Sequence, residues 1–87
     1  MSEKEIDYPD LVKEVRRQLG ISQEDLARHL NVSYATVNRW ENAQSKPSKL
    51  ARSQLESFCA RMMERGRLTL SAELLDSAGL NLDGERL

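Results

Sequence analysis

Two short amphipathic segments with almost nothing between them limit most sharply what this chain can fold into. One runs Ser22-Gln23-Glu24-Asp25-Leu26-Ala27-Arg28-His29-Leu30, the other Ser33-Tyr34-Ala35-Thr36-Val37-Asn38-Arg39-Trp40-Glu41-Asn42, and only Asn31 and Val32 lie between them. Each opens on a serine and repeats its apolar residues at helical spacing. Ser22 predicts an N-cap, with Asp25 three residues on completing an approximate capping box, and Ser33 predicts the cap of the next helix. Asn31 suits the turn because, after glycine, asparagine most readily adopts a left-handed backbone. Helices joined this tightly cross at a steep angle, which lets the second project from the globule as a probe.

Around this pair the pattern predicts more helix. Tyr8 opens a first helix in which Pro9 is tolerated in the first turn, Asp7 and Asp10 suit the positive dipole end, and Leu11, Val12, Val15 and Leu19 form a stripe that Gly20 ends. After an Ala43–Pro47 loop, Ser48 caps a fourth helix with Ala51, Leu55, Phe58, Cys59 and Met62 on one face. Arg61 and Arg65 lie near the end of that helix, and Gly66 stops it. The tail is ambiguous: Leu68 and Leu70 alternate like a strand, whereas Ser71 to Ala78 reads as a short helix. The expected fold is all-α, a compact bundle of four to five helices. Residues 1–7 form a frayed start, residues 8–66 the domain and residues 67–87 a C-terminal extension.

An 87-residue chain has room for one modest core. It contains no apolar run of membrane-spanning length and no signal-like segment near Met1, so a cytoplasmic protein is expected. The single cysteine, Cys59, cannot pair internally and has no companion metal ligands, so it reads as an inert core thiol. His29, the only histidine, reads as a solvated helix residue. One histidine, one cysteine and scattered carboxylates assemble no nucleophile, base or metal site, and neither an enzyme nor a cofactor is expected. The formal charge of −1 hides a pattern, because Lys13 to Arg65 holds ten basic residues against six acidic while both ends are acidic. A basic middle suits phosphate contacts on one face; ordinary charge scatter is the equally open alternative.

At about 100° per residue, the helix after Ser33 turns Thr36, Val37 and Trp40 to one side and Tyr34, Ala35, Asn38, Arg39 and Asn42 to the other. The first set is what a core needs. The second fits a DNA major groove: Arg39 can pair bidentately with guanine, Asn38 or Asn42 with adenine, and Ala35 can approach a thymine methyl. Tyr34 can reach a base or a phosphate, and Gln23 can reach a phosphate beside free helix N–H groups. The plainer alternative is that this is the solvated face found on any amphipathic helix.

Leu19-Gly20-Ile21-Ser22-Gln23-Glu24-Asp25-Leu26-Ala27, followed by Val32, Val37, Trp40-Glu41-Asn42 and Lys46-Pro47, resembles the Cro/lambda-repressor-like (Xre-type) helix-turn-helix domains over about Leu11 to Met62. The resemblance implies base contacts at Tyr34, Ala35 and Arg39, with Asn38 nearby, and phosphate contacts at Gln23, Ser33, Asn42 and Lys46. It implies a close helix crossing at Ala27, core positions at Val37 and Trp40, and an Arg16–Glu41 pair that holds the recognition helix as scaffold. Two departures stand out. Asn31 and Ala43 occupy positions where glycine is usual, and at Ala43 a locally different loop is expected, because alanine at positive φ costs on the order of 1 kcal/mol.

The expected function is therefore sequence-specific binding of double-stranded DNA by a transcriptional regulator, a repressor in the simplest case, acting as a homodimer on a palindromic operator with half-sites about 34 Å apart. The Leu68–Leu82 tail is one candidate for dimer contacts; covering the monomer's own core is the other. A competing reading is a protein-interaction module, antitoxin-like or an adaptor, that kept the fold but lost DNA affinity, with the tail gripping a protein partner.

Overall fold

Serine opens three of the four helices, and a left-handed residue closes all four. The computed structural model describes residues 8–71 and residue 74. In chain order it holds α1 (Tyr8–Leu19), α2 (Gln23–Leu30), α3 (Tyr34–Glu41) and α4 (Lys49–Glu64), with no strand among the described residues. The Oγ atoms of Ser22, Ser33 and Ser48 each accept the backbone N–H three residues on, at 3.0, 3.1 and 3.1 Å. Ser22 N–H donates in return to the Asp25 carboxylate at 3.2 Å, so the capping box is complete.

All four helices end in the same way. The N–H just past the left-handed residue returns to the last turn, as in Ile21 to Arg16 O, Val32 to Ala27 O, Gln44 to Arg39 O and Arg67 to Met62 O. This closure needs positive φ, supplied by Gly20 (66°), Asn31 (63°), Ala43 (60°) and Gly66 (73°). Ala43 corrects the expectation of a locally different loop: the position keeps positive φ, and alanine bears its cost. Ala43→Gly should therefore stabilise the protein. Relief of left-handed strain exceeds the added freedom of the unfolded chain by roughly 0.5–1 kcal/mol, a rise in Tm of about 2–8 °C at this size. An unchanged or lower Tm in a thermal melt would show that the loop carries no strain.

The core forms where the apolar stripes meet. Leu11, Val12 and Val15 of α1, Leu26, Ala27 and Leu30 of α2, Val37 and Trp40 of α3, and Ala51, Leu55, Phe58 and Cys59 of α4 are all buried. Ala27 is buried, α2 packs on α3, and α3 also packs on α1 while α4 packs on α2. Leu19 and Met62 are only partly buried at the rim. Burial pushes the Cys59 thiol up to about 12, and the Glu56 carboxylate adds to this, which makes it unreactive at neutral pH. His29 departs from a purely solvated role: its ring stacks on Phe58 at 4.9 Å between centroids.

Three core residues come from outside the predicted stripes. Tyr8 is buried at the start of α1, and Leu68 and Leu70 are 3% and 7% exposed, with Leu74 packed beside them. No strand forms at Leu68 and Leu70. Instead the Gln18 side-chain amide pairs with the Thr69 backbone, donating from Nε2 to its carbonyl at 2.8 Å and accepting its N–H at 2.8 Å. Gln18 Nε2 also donates to Glu14 at 2.7 Å, and Glu14, bound by Arg17 as well, is held down to about 2. Of the predicted helix from Ser71 to Ala78, only the capping bond from Leu74 N–H to Ser71 Oγ at 3.1 Å is described. Its other residues, the later part of the Leu68–Leu82 tail and residues 1–7 lie outside the described residues.

Candidate nucleic-acid interface

α3 divides largely as its sequence predicts, although Thr36, expected on the core side, and Asn38, expected on the outer side, are both half-buried. Val37 and Trp40 point into the core while Tyr34, Ala35, Arg39 and Asn42 are exposed, Tyr34 to 51%. Tyr34 stands in the first turn of the helix, just after the Ser33 cap. The Arg39 side chain has no hydrogen bond or ion pair among the described residues, so its guanidinium remains available as a bidentate donor. Ser33 differs: its Oγ caps α3 and also bonds Thr36 Oγ1 at 2.8 Å, so any phosphate contact would share a hydroxyl already used locally.

Behind this face stands an ion pair whose carboxylate is buried and whose guanidinium is partly exposed. Arg16 of α1 donates from Nε to Glu41 Oε2 at 2.7 Å and from Nη2 to Oε1 at 3.0 Å, and from Nη1 to the Ile21 carbonyl at 3.2 Å. Glu41 is the only charged residue buried among those described, 6% exposed at the C-terminal end of α3. Burial alone would raise its pKa. The hydrogen bonds from Arg16 and Gln23, with the charges of Arg16 and Lys13, outweigh that and hold the pKa below the ordinary glutamate value. The pair ties α3 to α1 as the scaffold reading expected.

Sequence periodicity gave no sign of the row of side-chain amides that begins at that carboxylate. Gln23 Nε2 donates to Glu41 Oε1 at 3.0 Å, Asn38 Nδ2 donates to Gln23 Oε1 at 3.2 Å, and Asn42 Nδ2 donates to Asn38 Oδ1 at 3.1 Å. Three residues expected to touch DNA are thus linked to one another and to the ion pair. A polar residue 15 to 18 positions before its partners, on a helix that crosses theirs, is the only hint the sequence offered.

The remaining expected contact, Lys46, is exposed in the loop after α3 and has no partner among the described residues. That loop, from Ala43 through Lys46, faces Tyr8 and Pro9 across a shallow cleft of about 260 Å³. Lys46 and Gln23 therefore flank α3 in the chain, one in the loop after it and one at the N-terminus of the helix before it. The helix-turn-helix family model matches residues 12–51. That segment is a helix-turn-helix domain of the Cro/C1 type. Domains of this family bind DNA and serve transcriptional regulation in general. No match was found among curated proteins or among solved structures. No described helix is long and apolar enough to cross a membrane, and no described cluster of side chains could hold a metal ion.

Proposed function

We propose that this chain is a sequence-specific transcriptional repressor that lays α3 in the major groove of double-stranded DNA. The outer face of α3 supports this best: an unpaired Arg39, an exposed Tyr34 and a small Ala35 stand on one side of a helix whose other side is anchored in the core. Arg39 meets a guanine edge, Asn38 an adenine edge, Ala35 a thymine methyl, and Tyr34 a base or phosphate at the helix start. Gln23, Ser33, Asn42 and Lys46 fix the register on phosphates. The chain acts as a homodimer on a palindromic operator. Since Leu68 and Leu70 are spent on the monomer's own core, a dimer seam or a protein contact made by the tail has to come from its later residues.

Selection of bound duplexes from a random pool at near-physiological salt tests the reading. An enriched palindrome is expected, with half-sites about one helical turn apart. Flat recovery would favour the protein-interaction module, to which the net charge of −1 is better suited. Arg39→Ala should relax preference at one base pair of each half-site, by about 1–3 kcal/mol. Lys46→Ala should weaken binding to all sequences alike and flatten the salt slope by about one unit. If Arg39→Ala changed neither affinity nor preference, α3 would not be read through this face.

A further inference from the structure

We infer that Glu41, acting through Gln23, is a positioning residue for base readout: it fixes which edge of the Asn38 amide donates and which accepts. It rests on the base-reading role proposed for Asn38.

The direction of the chain of bonds is set by the chemistry at its buried end. Arg16 can only donate, and an ionised carboxylate can only accept. With its pKa held down, Glu41 is ionised at neutral pH, so Gln23 must turn its NH₂ toward Oε1, at 3.0 Å. Its carbonyl oxygen then faces Asn38, which must offer Nδ2, at 3.2 Å. That leaves Asn38 Oδ1 to accept from Asn42 Nδ2, at 3.1 Å. Unanchored amides in such a row could all flip together with no loss of bonds. The carboxylate removes that freedom, because a flipped Gln23 would set oxygen against oxygen.

The consequence lies at Asn38. After giving one proton to Gln23 and accepting one from Asn42, it keeps one N–H and one lone pair, the complement of adenine N7 and N6 in the major groove. Guanine, with acceptors at both N7 and O6, is not matched by that pair. A flipped amide would exchange the positions of donor and acceptor and lose the adenine fit. Glu41 thus contributes to selectivity from a buried position where it touches no base.

The test compares base preferences of the full chain and three variants by duplex selection, after folding is verified by circular dichroism. Asn38→Ala first identifies the base pair that Asn38 reads. Glu41→Gln replaces the acceptor-only group with one that can donate or accept, and Gln23→Ala cuts the relay while leaving the Arg16–Glu41 pair in place. Both should lower the adenine preference at that same base pair about five- to tenfold, and both should leave the preference of Arg39 intact. Gln23→Ala should in addition weaken binding to all sequences through its lost phosphate contact. Uniform weakening with the adenine preference unchanged would overturn the inference, as would an Asn38→Ala variant that relaxes no position. Should Glu41→Gln fail to fold, Gln23→Ala alone decides. If the unaltered chain enriches no sequence, the base-reading function itself falls; if it does and these variants keep its adenine, only the relay falls.

Discussion

Replacing Arg16 with methionine is expected to destabilise the fold by about 3 kcal/mol, because it leaves a carboxylate buried without its counter-charge. The side chain of Glu41 is 5% exposed, and Arg16 supplies two of the three hydrogen bonds it accepts. Water cannot replace them without opening the end of α3. The double variant Arg16→Met, Glu41→Leu should recover much of the loss, since neither desolvated charge remains. The pH dependence gives a second, sign-bearing readout. In the unaltered protein the folded-state pKa of Glu41 lies below its unfolded value. Its contribution is therefore fully present above the unfolded pKa and is lost as pH falls through the folded one. Without Arg16, burial acts against only the bond from Gln23 and the charge of Lys13, and the folded pKa moves above the unfolded value. The variant then gains stability as pH falls over the range where the unaltered protein loses it. Urea denaturation at neutral pH and at about pH 4 should show the gap between the two proteins closing. A gap below about 1 kcal/mol at neutral pH, or one indifferent to pH, would reduce the pair to an ordinary surface contact. The larger expectation also has a functional side, because the bonds that stabilise α3 continue into the amides of Gln23, Asn38 and Asn42, which are proposed to meet DNA.

What the sequence reveals about this fold is whatever repeats along a single helix. The stripes Leu11-Val12-Val15, Leu26-Ala27-Leu30 and Ala51-Leu55-Phe58-Cys59 all reach the core, and three capping serines hold the expected bonds. Trp40 and Val37 fall inward for the same reason. Periodicity is silent about contacts between elements. It gave no warning that Gln18 would replace a strand partner for Thr69, or that Tyr8 would close one end of the core. The strand-like alternation of Leu68 and Leu70 yields no strand: both are buried with Thr69 exposed between them, and the backbone partner is a side-chain amide on α1. At the interface, the residue types gave the chemistry of the face, whereas the link from Asn38 to Gln23 depends on how α3 crosses α2. Ala43 shows the opposite case: local propensity argued against positive φ, and the geometry of the helix end prevailed.

The second large effect is expected at the end of the described chain. Leu68→Ala with Leu70→Ala should cost about 4–8 kcal/mol, from two buried leucines at roughly 2–4 kcal/mol each. A domain of this size is stable by only about 4–13 kcal/mol, so the double variant should be largely unfolded or close to it at 25 °C. Leu68→Ala alone leaves a measurable folded population and gives the size of one step. The magnitude comes from where the side chains lie: both pack into the same cluster as Leu11, Leu55 and Phe58, and the Gln18 clamp on Thr69 fixes the segment between them. Gln18→Ala should accordingly cost only about 1 kcal/mol, since water can replace its bonds at an exposed site. A dimer seam built on these leucines would behave differently. Association stabilises by mass action, so the loss caused by Leu68→Ala would shrink as the protein is diluted and the unaltered dimer dissociates. A loss that stays constant across about a hundredfold range of protein concentration identifies the tail as part of the monomer's core. DNA binding would then depend on Leu68 and Leu70 only through the stability of the core on which α3 is anchored.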